Sequence, residues 1–245
     1  MGSVMTSTLL GFLVGIAGTG AGGATAFLLR RPSRRFMGTT LGLSGGLMMA
    51  IVCFDLLPEA FEMAGLAIGI VGIILGVGLV TLIDLLVPDR DITDKTVRSS
   101  SYIRTGIILG LGIAIHNFPE GLAIGSGLAV NLRLGFSLAF VIGFHNVPEG
   151  VAMAMPMMVG GYSRIKTFIA TIISGVPMGL GAFVGALLGE ISPVLVSLCL
   201  SFAGGTMLYI TCGELIPKSQ SVYRGRASAF GVIIGIIAGI VLSAI

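Results

Sequence analysis

The chain of 245 residues contains only two histidines, and each heads the same hexapeptide. The first copy is His116-Asn117-Phe118-Pro119-Glu120-Gly121 and the second is His145-Asn146-Val147-Pro148-Glu149-Gly150. In a helix the His and Glu of each copy, at i and i+4, project from one face. Two imidazoles and two carboxylates offer mixed nitrogen and oxygen ligands, which suit Zn²⁺, Fe²⁺, Mn²⁺ or Cd²⁺. The all-oxygen sites preferred by Mg²⁺ and Ca²⁺ are a poorer match. Two glutamates also neutralise one divalent cation. Asn117 and Asn146 point about 100° away from that face, towards a neighbouring helix or a second ion.

Each proline removes one backbone donor, so Pro119 leaves the Ile115 carbonyl free and Pro148 that of Phe144, and a kink is expected at each. Freed carbonyls in a membrane are tolerated where they line a cavity. Gly121 and Gly150 are expected to let the two hexapeptide helices approach each other closely. A lone histidine in an apolar segment is ordinarily a satisfied packing residue. Two copies, each with a Glu one turn on and a Pro between them, outweigh that reading.

The segments that must position these residues are membrane helices. The chain is 55% hydrophobic and only 10% charged, against about 25% charged for soluble domains. With about 20 apolar residues needed per span, eight segments qualify: 4–29, 36–61, 66–87, 104–130, 134–159, 166–189, 193–216 and 228–245. The hexapeptides fall in segments 4 and 5. Of the 14 Lys and Arg, all but Arg133 lie in the connections after segments 1, 3, 5 and 7. The positive-inside rule then puts those connections in the cytoplasm and both termini outside. The basic residues are dispersed over several connections, which fits topology and not nucleic-acid binding. The N-terminus lacks the basic start of a cleavable signal, so segment 1 reads as a span. The longest connection, about 88–103, is a polar cytoplasmic linker without the His or Cys clusters of a metal sensor. Cys53, Cys199 and Cys212 form no CxxC pair and no disulfide framework.

Segment 2 contains GGLMMAIVCFDLLP (45–58) and segment 7 contains GGTMLYITCGELIP (204–217). Half of these positions are identical at one constant offset, which pairs Asp55 with Glu214 and Met48 with Met207. Segments 2 and 7 cross in opposite directions, as do segments 4 and 5. Such inverted repeats around a midplane site are characteristic of secondary transporters. Both hexapeptides fall near mid-bilayer at 1.5 Å per helical residue. Asp55, towards the outer end of segment 2, is placed to attract cations. Glu214 and Asp84, at inner ends of segments 7 and 3, are placed as exit ligands.

Paired HNxPEG motifs on segments 4 and 5 of an eight-helix chain resemble the ZIP (Zrt/Irt-like) family of metal-ion transporters, especially its bacterial members. The resemblance spans essentially the whole chain. It implies a single all-α transmembrane domain over 1–245 in the plasma membrane, with segments 1–3 and 6–8 related by a pseudo-two-fold around 4 and 5. It further implies that Zn²⁺ or a related divalent ion is carried into the cytoplasm as substrate, without a cofactor. By motif, His116, Asn117, Glu120, His145, Asn146 and Glu149 match transport-site ligands. Met48 matches a contributing position on segment 2, with Met207 as its repeat mate, and a thioether favours softer ions.

One stretch departs from the family pattern. Where relatives carry SGLAEPxGA in segment 6, this chain has Ser174-Gly175-Val176-Pro177-Met178-Gly179-Leu180-Gly181-Ala182. Met178 replaces the carboxylate, so one main ion is expected and not a binuclear centre. Expected partners are the bilayer and the metal ion, with a homodimer among the open assemblies. The alternative reading is an intramembrane metal-dependent hydrolase, since His-x-x-x-Glu resembles half of a zinc-hydrolase site. No side chain is set up as its nucleophile. A non-transporting scaffold or receptor is a third class. Rocking and sliding of helix groups both remain open.

Overall fold

The computed structural model describes residues 2–28, 33–86 and 98–244, and every regular element among them is helical. These are α1 (Gly2–Leu28), α2 (Arg34–Ile51), α3 (Leu57–Leu86), α4 (Arg98–Val130), α5 (Leu132–Val159), α6 (Arg164–Gly189), α7 (Pro193–Ile210), α8 (Ile216–Val222) and α9 (Arg226–Ala244). Short polar side chains start four of them. Ser33, Asn131, Ser163 and Ser192 each accept a hydrogen bond from the amide three residues on, opening α2, α5, α6 and α7. Each such cap satisfies one of the helix's orphan donors.

Helix α4 begins at Arg98, six residues before the expected start of segment 4, so residues 98–103 are helix and not linker. The remainder of the expected 88–103 connection lies outside the described residues. Segment 7 extends through α8 to Val222 instead of ending at 216. The expected break between segments 2 and 3 is a single residue. Gly65 lies inside α3 with φ 81° and ψ 164°, a conformation essentially restricted to glycine.

Two π turns join α2 to α3 and α7 to α8, at Val52–Leu56 and Thr211–Leu215. They occupy equivalent positions in the two 14-residue repeats, and each is followed within two residues by a proline, Pro58 or Pro217. A proline ring clashes with the carbonyl four residues back, and single-turn π bulges interrupt α-helices frequently at functional sites. Here Leu57 donates to the Val52 carbonyl and Ile216 to that of Thr211, five residues back. By contrast, α4 and α5 carry Pro119 and Pro148 within continuous α-helix.

The helices pack as two groups. In one, α1 lies against α5 and α6, and α4 lies against the same two helices. In the other, α2 packs on α9 and α8, and α3 packs on α7. Contacts between the groups run chiefly through α4 with α7 and α2 with α5. The outer surface is apolar: Leu9, Leu13, Ile74, Ile173, Phe183, Ile233 and Ile237 are all exposed. The interior holds the polar side chains, among them Thr19, Ser44, Asn117, Ser126, Asn146 and Ser201. This inversion of the usual soluble pattern is what a lipid-facing surface requires. Buried hydroxyls find backbone partners, as when Thr19 donates to Gly15 and Ser201 to Ser197.

Six stretches of described residues are long and apolar enough to cross a membrane: Val4–Phe27, Arg34–Leu82, Leu132–Met158, Arg164–Gly189, Pro193–Val222 and Arg226–Ser243.

Candidate metal site

Both hexapeptides lie in the helical interior, where α4 packs against α5. His116, Asn117, Glu120, His145, Asn146 and Glu149 are all buried. His145 is the hub. Its Nε2 is 3.1 Å from Glu120 Oε1 on the other helix, 3.8 Å from Glu149 Oε1 one turn along, and 3.2 Å from Asn146 Oδ1. One ring nitrogen cannot serve three oxygens. Glu120 Oε1 and Oε2 and Glu149 Oε2 have no hydrogen-bond partner among the described residues. Unpaired buried carboxylates cost several kcal/mol each, and a divalent cation between them would relieve that cost.

The two asparagines tie this cluster to α6. Asn117 Nδ2 donates to the Ser174 carbonyl at 2.7 Å, and Asn146 Nδ2 donates to Asn117 Oδ1 at 3.3 Å. The amides thus form a chain from α5 through α4 to α6. Asn146 Oδ1 lies beside His145 Nε2, and Asn117 Oδ1 is occupied by the Asn146 amide. Ser44 on α2 donates to the His145 carbonyl at 3.3 Å, linking the hexapeptide to the other helix group.

His116 faces elsewhere. Its Nε2 is 3.7 Å from Glu214 Oε1, on the second π turn. The Glu214 side chain is 42% exposed while that of His116 is 9% exposed, so this pair connects the buried cluster to open space. Among the described residues no three His, Cys, Asp or Glu side chains stand ready as a set to hold one ion. The ligands are instead divided between the His145, Glu120 and Glu149 group and the His116–Glu214 pair.

Met48 and Met207 are both fully buried in the same apolar core, together with Met178. Thr211 Oγ1 lies 3.2 Å from Met48 Sδ, which links the first repeat to the second π turn. Asp55 does not join the site. Its Oδ2 accepts a 2.7 Å hydrogen bond from Ser243, near the end of α9. Asp84 lies on α3, but its side chain is outside the described residues.

The expected close approach of Gly121 and Gly150 to each other is corrected. A Cβ on Gly121 would overlap the Met178 backbone of α6, and one on Gly150 would overlap the Thr19 carbonyl of α1. The two glycines therefore seat α4 on α6 and α5 on α1. The reason is geometric: Gly follows Glu by one residue, about 100° around the helix from the face that meets the ion.

Reading the residues alone missed Ser44, Ser174, Thr211 and Ser243. A signal was present for Ser44, Thr211 and Ser243, since a hydroxyl within an apolar membrane helix commonly bonds across helices. Ser174 acts through its carbonyl, which no side-chain pattern marks.

The family model described as ZIP zinc transporter matches residues 88–244. The zinc transporter ZupT of Akkermansia muciniphila is 37% identical to this chain, over 99% of it and 96% of the relative. That of Corynebacterium aurimucosum is 34% identical over 89% of this chain and 88% of its own. For Clostridium perfringens the identity is 31%, over 97% and 94% respectively.

Proposed function

The chain belongs to the ZIP zinc-transporter family, and on that premise we propose that it carries divalent transition-metal ions, Zn²⁺ foremost, into the cytoplasm. The family consists of transporters, so the chain is not an enzyme and the metal is its substrate and not a cofactor. This sets aside the hydrolase.

The observation that carries the proposal is the buried pair Glu120 and Glu149 beside His145, three of whose four carboxylate oxygens lack hydrogen-bond partners among the described residues. The ion is held there by Glu120, His145 and Glu149, with His116, Asn117, Asn146 and Met48 completing its surroundings as it passes. Glu214 receives it from His116 on the cytoplasmic side. Asp55 serves the outer approach, and Met207 and Asp84 lie along the path. Met178 supplies no charge, so one tightly held ion is the resting load.

We further propose eight spans in one domain, with both termini outside and the membrane in question the plasma membrane. Arg34–Leu82 has 49 residues, about 74 Å of helix at 1.5 Å per residue. That is more than twice the ~30 Å hydrocarbon core, and the Gly65 reversal divides it into two spans. The pairing of helices supports an inverted repeat. Exchanging α1 with α6, α4 with α5, α2 with α7 and α3 with α9 turns the pair α4–α6 into α5–α1, and α3–α7 into α9–α2. The twin π turns obey the same exchange. Movement of the group holding both hexapeptides against the group holding Met48, Asp55 and Glu214 gives alternating access. Two copies of the chain pair in the membrane.

Uptake into proteoliposomes tests the proposal, comparing Zn²⁺, Fe²⁺, Mn²⁺, Cd²⁺ and Mg²⁺. Zn²⁺ flux that Mg²⁺ does not match is expected, and passage of none of the five ends the reading. Mass spectrometry of the loaded protein checks the stoichiometry, with two equally tight ions counting against the role given to Met178.

A further inference from the structure

At the end of the molecule where α2 begins and α8 gives way to α9, four arginines gather with no carboxylate partner among the described residues. Arg34 and Arg35 open α2, Arg224 lies in the α8–α9 connection and Arg226 opens α9. All four are exposed, and none is ion-paired among the described residues. They share one end because Gly38, one turn into α2, packs directly against Tyr223 and Ser228.

The connection between α8 and α9 has a defined shape. Ser219 Oγ donates to the Gly38 carbonyl at 2.7 Å, fastening α8 to α2. Ser228 Oγ lies 2.9 Å from the Tyr223 carbonyl and 3.0 Å from that of Ser219. The Tyr223 ring covers Gly225 so closely that a Cβ there would overlap it. Ser221, Tyr223, Arg224 and Arg226 line an open cavity of about 510 Å³ at this connection. Directly beyond it, α9 presents Phe230, Ile233, Ile234 and Ile237 on its exposed face.

An arginine-lined hollow with a lipid-facing apolar helix at its rim has the two halves of a phospholipid's chemistry. Guanidinium groups bind phosphate oxygens in bidentate fashion. Basic groups at the cytoplasmic surface attract the anionic lipids of that leaflet. We propose that this hollow binds the phosphate headgroup of an anionic glycerophospholipid, with its acyl chains lying along α9. Arg224 and Arg226 hold the phosphate, Tyr223 shapes the wall, and Arg34 and Arg35 add long-range attraction. The assignment rests on the topology given above, which puts this end in the cytoplasm. It is independent of the metal site, none of whose residues it shares.

The test is native mass spectrometry of the full chain released from vesicles of phosphatidylglycerol or of phosphatidylcholine. The wild type is expected to retain phosphatidylglycerol at least several-fold more than phosphatidylcholine. R224Q/R226Q should abolish that preference while retaining its helical circular dichroism and its bound Zn²⁺. K166Q, in the first turn of α6, should leave the preference intact. Equal retention by wild type and R224Q/R226Q overturns the proposal, as does equal loss with K166Q. Displacement of the lipid by millimolar inorganic phosphate assigns the hollow to a soluble anion and also overturns it. Retention of phosphatidylglycerol by a wild type that moves no metal would sink the transport reading and leave this one standing.

Discussion

At the residue scale, the proposed transport rests on buried carboxylate oxygens that have no hydrogen-bond partner among the described residues. Glu120→Gln keeps the shape of the side chain and removes the charge, so it should abolish Zn²⁺ uptake while preserving the folded protein in circular dichroism. His145→Ala should do the same, because His145 approaches both glutamates. Asn117→Ala is a subtler change. It cuts the link to the Ser174 carbonyl, and loss of such orienting contacts typically lowers metal affinity about 10–100-fold. Isothermal titration with Zn²⁺ reads that directly, and unchanged affinity would remove Asn117 from the site. The hexapeptide side chains were legible because histidine is so rare in this chain. Their partners were not: spacing puts His116 and Glu120 on one face, yet His116 turns to Glu214 while Glu120 turns to His145. That division depends on which helix lies opposite, and no local pattern records it. Asp55 shows the same limit, since its tie to Ser243 joins residues far apart in sequence.

At the element scale, apolar length and charge placement located the helical segments well. What they could not register was how helices are interrupted. The sequence marked Pro119 and Pro148 as suspect, whereas the winding changes to π before Pro58 and Pro217 and stays α-helical at Pro119 and Pro148. A proline's effect depends on how neighbouring helices accommodate the freed carbonyl, which is a tertiary matter. Gly65 is the clearest single-residue determinant of the fold. Its φ of 81° and ψ of 164° would strain any residue with a Cβ by about 1–3 kcal/mol. Gly65→Ala should therefore lower the midpoint of thermal unfolding in detergent, even though among the described residues no other element comes within 4 Å of the added methyl. An unchanged midpoint would mean the turn relaxes at no cost. Gly121→Val acts through packing instead, forcing α4 off α6, and should destabilise by about 1–3 kcal/mol.

At the scale of the whole molecule, the division into two helix groups makes transport a question of relative motion. Both hexapeptides belong to one group, while Met48, Asp55 and Glu214 belong to the other. Thr40 on α2 and Val151 on α5 line one small cavity between the groups. The Phe27 and Phe168 rings lie 6.1 Å apart and tilted by 58° within the first group. A cross-link through T40C/V151C should stop Zn²⁺ flux and reduction should restore it, whereas one through F27C/F168C should leave flux largely intact. Equal inhibition by both would argue against motion between the groups. The twin π turns carry a consequence of a different kind. Each is a spare residue threaded into an otherwise regular rod, so taking one out should leave both ends of the rod facing as before. Deleting the exposed Phe54, or Gly213 in the matching turn, should yield a protein that still assembles but whose Asp55 or Glu214 has swung out of line with the path of the ion.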